Sequence, residues 1–342
     1  MIKRALIALL VLGAVALAGA AGAWLWLDRA LSPVAENGSE PHIMAFQVDP
    51  GDSFWQVAAT LESAGIIRNA RVARWFAQSE DLASKLKIGE YELSSDQSTP
   101  EIFEALTRGR VQTHPVVIPE GLRATEIADR LAAAGLADRD RFLEVVFDPA
   151  SPARYGVEGP TLEGYLFPDT YRFARGVPEG RIAQAMVAEF LRVYHDLVPD
   201  PGSSNLTMRE HTTLASIVEK ETGAAHERPL IAAVFLNRMK RGMRLETDPT
   251  VIYGIKNFDG NIKRIHLLDG SNPYNTYKIK GLPPGPIASA GRDALRAILE
   301  PADTPYIFFV SRNDGTHIFA ETYREHEANV DEFQRKRRRR RR

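Results

Sequence analysis

The chain has 342 residues, 44% hydrophobic and 25% charged, a balance that fits a folded protein and excludes a disordered or polytopic membrane chain. It contains no cysteine, which removes disulfides, thiolate metal sites and thiol catalysis and leaves carboxylates, hydroxyls, histidines and amines for any chemistry. The formal net charge of −1 hides an asymmetry, because residues 335–342 are all Lys or Arg and without them acidic residues clearly outnumber basic ones. The acidic body speaks against nucleic-acid binding, and residues 334–342 read as a separate, solvated basic tail.

From the N-terminus, residues 5–27 carry no charge, follow Lys3 and Arg4, and end in Trp24 and Trp26. As a helix this run is about 34 Å long, enough to cross a hydrocarbon core of about 30 Å. It predicts a transmembrane anchor, with residues 1–4 in the cytoplasm and the chain beyond it outside. A cleaved signal peptide is the alternative, since Ala18-Gly-Ala20 and Ala21-Gly-Ala23 resemble cleavage sites, although the run outlasts an h-region of about 7 to 15 residues. Either way the globule is exported. Residues 28–45 read as a linker on their Ser, Pro, Asn, Gly and Glu content.

From Phe46 the chain resembles itself once. Val57, Ala58, Leu61, Ala64 and Gly65 recur 70 positions later as Ile127, Ala128, Leu131, Ala134 and Gly135. Tyr91, Leu93, Ile102 and Leu106 recur 80 positions later as Tyr171, Phe173, Ile182 and Met186. The pattern predicts a strand–helix–helix–strand–helix unit used twice, with each first helix stopped by glycine. Further on, Thr207 and Glu210 form a capping box for a helix over 208–222 that Gly223 can close. A second helix is expected over 227–241, with Pro229 in its first turn and Gly242 as its stop. Ser289 can cap a third helix, and strands flanking Asp314-Gly315 form a hairpin. The class is therefore α+β.

Advancing about 100° per residue along 208–222 puts Leu214, Ile217, Val218 and Glu221 on one stripe, whereas Glu219 falls well outside it. A carboxylate on a core-facing stripe loses hydration, and the carbonyl end of a helix disfavours its charge. Both effects keep Glu221 protonated near neutral pH, the state required of a general acid. Periodicity alone leaves open that Glu221 reaches solvent or Arg228 from a frayed helix end. Downstream, Thr247-Asp248-Pro249-Thr250, Tyr274-Asn275-Thr276-Tyr277 and Gly281-Leu-Pro-Pro-Gly-Pro286 have the composition of a rigid cleft for a hydroxyl-rich ligand, or of ordinary turns.

Other chemistries lack their residues. His226-Glu227 begins like a zinc helix, but Leu230 stands where the second histidine belongs, so no metal is expected. There is no phosphate-binding or dinucleotide-binding glycine loop, so no cofactor is expected, and there is no Gly-x-Ser-x-Gly elbow. The histidines are dispersed, and His317 reads as a packing or hydrogen-bonding residue of the hairpin.

Taken together, Ala215-Ser-Ile-Val-Glu-Lys-Glu-Thr222, Val234-Phe-Leu-Asn-Arg238, Thr247-Asp-Pro-Thr250, Tyr274-Asn-Thr-Tyr277, Gly281-Leu-Pro-Pro-Gly285 and Leu162-Glu-Gly-Tyr-Leu-Phe-Pro-Asp-Thr-Tyr171 resemble the endolytic murein transglycosylases, the YceG-like family. The resemblance covers about 46–333. It implies an inner-membrane enzyme with a LysM-like subdomain (residues 46–112) before a mixed α+β catalytic domain (113–333) facing the periplasm. It implies peptidoglycan glycan strands as substrate and peptidoglycan synthases (penicillin-binding proteins) as partners. The expected reaction cleaves the bond between N-acetylmuramic acid and N-acetylglucosamine and leaves 1,6-anhydro ends. By resemblance the catalytic residue is Glu221, which the helical stripe also selects. Glu221-Thr222 is similar to the Glu-Ser pair of other lytic transglycosylases. The expected substrate-binding residues are Thr222, Glu163, Asp248, Tyr274, Asn275 and Tyr277. A non-catalytic wall-binding scaffold and a lysozyme-like hydrolase remain the alternatives; in the latter Glu219, Glu163, Asp169 or Asp248 would assist Glu221. The basic tail has no counterpart in the family pattern.

Overall fold

The computed structural model describes residues 2–35, 39–49, 51–82, 84–109, 112–200 and 205–335. The tail beyond Arg335, and the side chains of Lys3 and Arg4, lie outside what is described. The chain divides into two units, Met1–His114 with Phe173–Val177, and Pro115–Arg172 with Pro178–Arg342.

In the first unit, helix α1 (Ile2–Leu31) includes Leu10–Leu31, the one helix among the described residues long and apolar enough to cross a membrane. Its apolar side chains, among them Leu10, Leu17, Trp24 and Trp26, are exposed rather than packed. Strands β1 (Ile43–Val48) and β2 (Gly89–Ser94) pair antiparallel, with Phe46 opposite Tyr91. Between them run α2 (Phe54–Ser63) and α3 (Ala70–Ser79), and α4 (Thr99–Arg108) follows. A capping box, Ser53 with Gln56, starts α2, and another, Ser98 with Glu101, starts α4. The core joins Phe46, Val48, Leu61, Tyr91, Leu93 and Phe103, and Phe54 packs edge-on against Phe103.

The second copy of the motif follows in order: β3 (His114–Val117), α5 (Ala124–Ala133), α6 (Arg139–Phe147), a short added helix α7 (Ser151–Tyr155), β4 (Thr170–Phe173) and α8 (Glu179–Leu197). Strands β3 and β4 form a two-stranded sheet, as β1 and β2 do. The matched positions do the same work in each copy. Val57, Ala58 and Leu61 are buried on α2, and Ile127, Ala128 and Leu131 on α5. Gly65 and Gly135 take positive φ, 71° and 67°, just past the ends of those helices, where a side chain would be strained. The Tyr91 and Tyr171 hydroxyls each donate to the carbonyl four residues back, at 2.7 Å. The duplication expected from the sequence is therefore a duplication of structure.

The second unit is completed by helices around α9 (Met208–Glu221). The Thr207–Glu210 capping box opens α9 as expected, and the helix ends at Glu221 because Thr222 is extended (φ −141°, ψ 137°). Residues 211–218 are all buried, so α9 is a central helix covered on every side. It packs against α10 (Arg228–Lys240), α11 (Asp248–Tyr253) and α13 (Arg292–Leu299). The short α12 (Arg264–Leu268) lies in the loop region before α13. Gly291, not Ser289, precedes the first turn of α13, and the Ser289 backbone instead bridges to Gly121 and Leu122. The hairpin of β5 (Phe308–Ser311) and β6 (His317–Ala320) and the helix α14 (Tyr323–Val330) end the fold. Gly164, at φ 83°, lets the 160s loop pass Pro286, whose ring a Cβ there would meet at 2.2 Å. The class is mixed α+β.

Candidate active site

The C-terminal turn of α9, the start of α11, α10 and the last hairpin enclose an open cleft of about 420 Å³. Glu221 lies on its wall with Thr247, Asp248, Tyr277, Arg238 and His317. Burial of the carboxyl group pushes the Glu221 pKa up to about 7, and the neighbouring Asp248 charge acts in the same direction. A hydrogen bond from the Thr247 hydroxyl and the nearby His317 oppose the rise.

Thr247 shows how the local fold serves this carboxyl group. It is the N-cap of α11, where a threonine oxygen ordinarily accepts from the first-turn amides, yet its side chain makes no cap bond. Its hydroxyl donates to Glu221 Oε1 instead. Its backbone is held from behind: the Thr247 amide donates to Thr276 Oγ1 at 3.1 Å, and Thr250 Oγ1 donates to the Thr247 carbonyl at 2.8 Å. Thr250, Thr276 and Thr247 are all buried, so this hydroxyl cluster fixes the donor that meets Glu221.

The residues singled out in the sequence separate into groups. Glu221, Asp248 and Tyr277 meet at the cleft, where the Tyr277 hydroxyl donates to Asp248 Oδ1 at 2.8 Å. Burial and the Asp248 charge push the Tyr277 pKa up, so the phenol stays a donor. Glu163 and Tyr274 form a different, buried cluster. Glu163 accepts from the Ala124 amide at 3.0 Å and from the Tyr253 hydroxyl at 3.2 Å, and Tyr253 packs against the Tyr274 ring. Burial raises the Glu163 pKa to about 7 against those hydrogen bonds. Because Tyr253 is the last residue of α11, Glu163 anchors the end of the helix whose start carries Thr247 and Asp248. Thr222 turns toward Glu227, donating to its Oε2 at 3.1 Å, and accepts from the Ala224 amide.

The Asn275 side chain turns into its own loop. It is fully buried, and its amide nitrogen lies within hydrogen-bonding distance of the His266, Leu267 and Asp269 carbonyls while its oxygen accepts from the Tyr277 amide. The side chain knits its own loop and has no donor left for a sugar. Glu219 also differs from expectation. Its side chain is 6% exposed, pairs with Arg228 at 3.2 Å and accepts from the Gly291 amide at 3.1 Å. Arg228 thus pairs with Glu219 and, at 3.6 Å, with Glu120, and not with Glu221.

Thr247, from a segment whose composition suggested a cleft, also lines it, as do Arg238, Glu246 and His317, which the sequence did not mark as site residues. Arg238 donates from Nη1 to the Arg244 and Leu245 carbonyls and pairs with Glu246 at 3.3 Å, which shapes the loop leading into Thr247. Among the described residues no three His, Asp or Glu side chains gather as a metal site.

The fold and the cleft define a mixed α+β protein that sets one carboxyl group, its pKa raised by burial, at the wall of an open, polar cleft. The YceG-like family model matches residues 46–332, and the chain belongs to that family. It is 29% identical to the endolytic murein transglycosylase of Bacillus subtilis (strain 168), over 89% of this chain and 88% of that protein. It is 28% identical to the endolytic murein transglycosylase of Streptococcus pneumoniae (strain ATCC BAA-255 / R6), over 97% of this chain but 65% of the longer streptococcal protein. The 2.6 Å crystal structure of a YceG-like protein from Listeria monocytogenes is similar, with a TM-score of 0.56 at 31% identity, covering 84% of this chain and 99% of that one.

Proposed function

We propose that this chain is an endolytic peptidoglycan lytic transglycosylase. The observation that carries the reading is Glu221: a carboxyl group whose pKa is raised to about 7, set in an open cleft lined by hydroxyl and carboxyl groups. Such a group can hold a proton near neutral pH and deliver it to a leaving oxygen. In the proposed reaction Glu221 protonates the glycosidic oxygen between N-acetylmuramic acid and N-acetylglucosamine. The muramyl 6-hydroxyl attacks the anomeric carbon, and the Glu221 carboxylate left behind takes the hydroxyl proton. One carboxyl group suffices, because the nucleophile belongs to the substrate, unlike glycosidases that need a second carboxylate. Asp248 and Tyr277 are the proposed sugar-contacting residues, and Thr247 positions Glu221.

The names of the bacillar and streptococcal relatives support this reading. The apolar helix Leu10–Leu31 supports a single-pass anchor in the cytoplasmic membrane, with the cleft in the periplasm acting on nascent strands to end their elongation. Residues 46–112 are the proposed LysM-like glycan-binding subdomain, residues 113–333 the catalytic domain, and peptidoglycan synthases of the penicillin-binding class the proposed partners. Purified murein incubated with the full chain tests the proposal: catalytic release of internal glycan fragments is expected, and binding without turnover would leave only a scaffold.

A further inference from the structure

A second hollow, an open groove of about 500 Å³, lies beside the Glu221 cleft. That volume is in the range of ligand pockets. Its walls are the first turn of α5, the last turn of α9, and α11 with the loop that follows it. Lys220 and Pro249 line the groove, while their chain neighbours Glu221 and Asp248 line the cleft. Consecutive Cα atoms are about 3.8 Å apart, so a sugar held at Glu221 lies within reach of the groove by a side branch.

Two cations mark this groove. Lys220 Nζ donates to the Gly121 carbonyl at 2.9 Å, which uses one of its three N–H bonds. The Arg123 guanidinium lies 5.3 Å from the centroid of the Tyr253 ring, and its charge opposes the rise in the Glu163 pKa. Neither cation forms a salt bridge with a carboxylate among the described residues. Glu126 is the acidic side chain on this wall, and its Oε2 accepts from the Arg123 amide at 2.8 Å. The rest of the lining is largely apolar, with Ile252, Ile255 and Phe258 half-buried and Ile287 buried beneath them. Positive charge over an apolar floor suits an acidic peptide with small apolar side chains. A neutral sugar has no charge to set against Lys220 and Arg123.

We propose that this groove binds the acidic peptide carried on the lactyl group of N-acetylmuramic acid, with Lys220 and Arg123 pairing its carboxylates. This rests on the transglycosylase reading and makes the peptide-bearing strand the preferred substrate of the Glu221 cleft. The test compares, for the full chain, kcat/KM on peptide-bearing glycan strands with kcat/KM on the same strands stripped of peptide by an amidase. Each part-exposed ion pair is worth up to about fivefold, so a preference of about tenfold for peptide-bearing strands is expected. Arg123→Gln should bring that ratio toward one. Asn257→Asp, at an exposed groove position with φ 53° that aspartate tolerates, adds a negative charge at almost constant volume and should do the same. The ratio does not depend on how much of each variant is folded. Equal cleavage of both substrates by the wild-type protein, or a preference that survives both substitutions, would overturn the peptide proposal and leave the transglycosylase reading standing. Cleavage of neither substrate would overturn the transglycosylase reading itself.

Discussion

Replacing Glu221 with Gln should stop glycan cleavage and, above neutral pH, stabilise the fold. In the folded protein the Glu221 pKa stands at about 7 against an ordinary value of 4.5, so folding opposes ionisation. Stability from this group is complete below about pH 4.5, falls as pH rises toward 7, and is lost above it. At about 1.4 kcal/mol per pH unit the full loss is on the order of 3 kcal/mol. Glu221 is half-buried, so solvent reduces this, and a gain of about 1 to 3 kcal/mol is expected for Glu221→Gln at pH 8. At pH 4 the two proteins should be equally stable, because the wild-type carboxyl group is then neutral and the amide can still accept from Thr247. Glu163 has a similarly raised pKa, but it is present in both proteins and cancels in the difference. All four tryptophans lie before residue 114, in the first unit, so urea unfolding is best followed by circular dichroism at a series of pH values. Parallel stability curves, with no pH dependence in their difference, would mean that Glu221 is already ionised in the fold and would refute the general-acid argument.

Glu219→Gln breaks a buried pair with Arg228, and about 3 to 5 kcal/mol of stability should be lost while turnover per folded molecule persists; Tm and kcat on one sample check this. Asn275→Ala should likewise lower Tm and leave folded molecules active, since the amide serves only its own loop; a large fall in kcat at unchanged Tm would return Asn275 to the substrate. Asp248→Asn removes a charge that raises the Glu221 pKa, so the high-pH limb of the kcat profile, where Glu221 loses its proton, should move to lower pH.

Local signals in the chain were strong where one face or one cap decided the outcome. The capping box of α9, the stripe carrying Glu221 and the repeated helix stops at Gly65 and Gly135 could all be read from spacing, because each depends on neighbours within a few turns. The same wheel misjudged Glu219, since it assumed that α9 buries a single face, whereas residues 211–218 are covered all round. Ser289 looked like a cap on residue type alone, but the chain begins α13 two residues later. Asn275 and Asp248 share a loop-like composition, and only the tertiary fold turns one amide inward and brings the other side chain to Tyr277. Thr247 reaches Glu221 from 26 residues away and His317 joins the same cleft from more than 90, placements that no periodicity encodes.

The central claim is that Glu221 drives cleavage without water as a reactant. Wild-type protein acting on purified murein in water labelled with heavy oxygen should give muramyl ends that are anhydro by mass and carry no label, and Glu221→Gln should give no ends at all. Labelled reducing ends from the wild-type protein would contradict the account and make the enzyme a hydrolase.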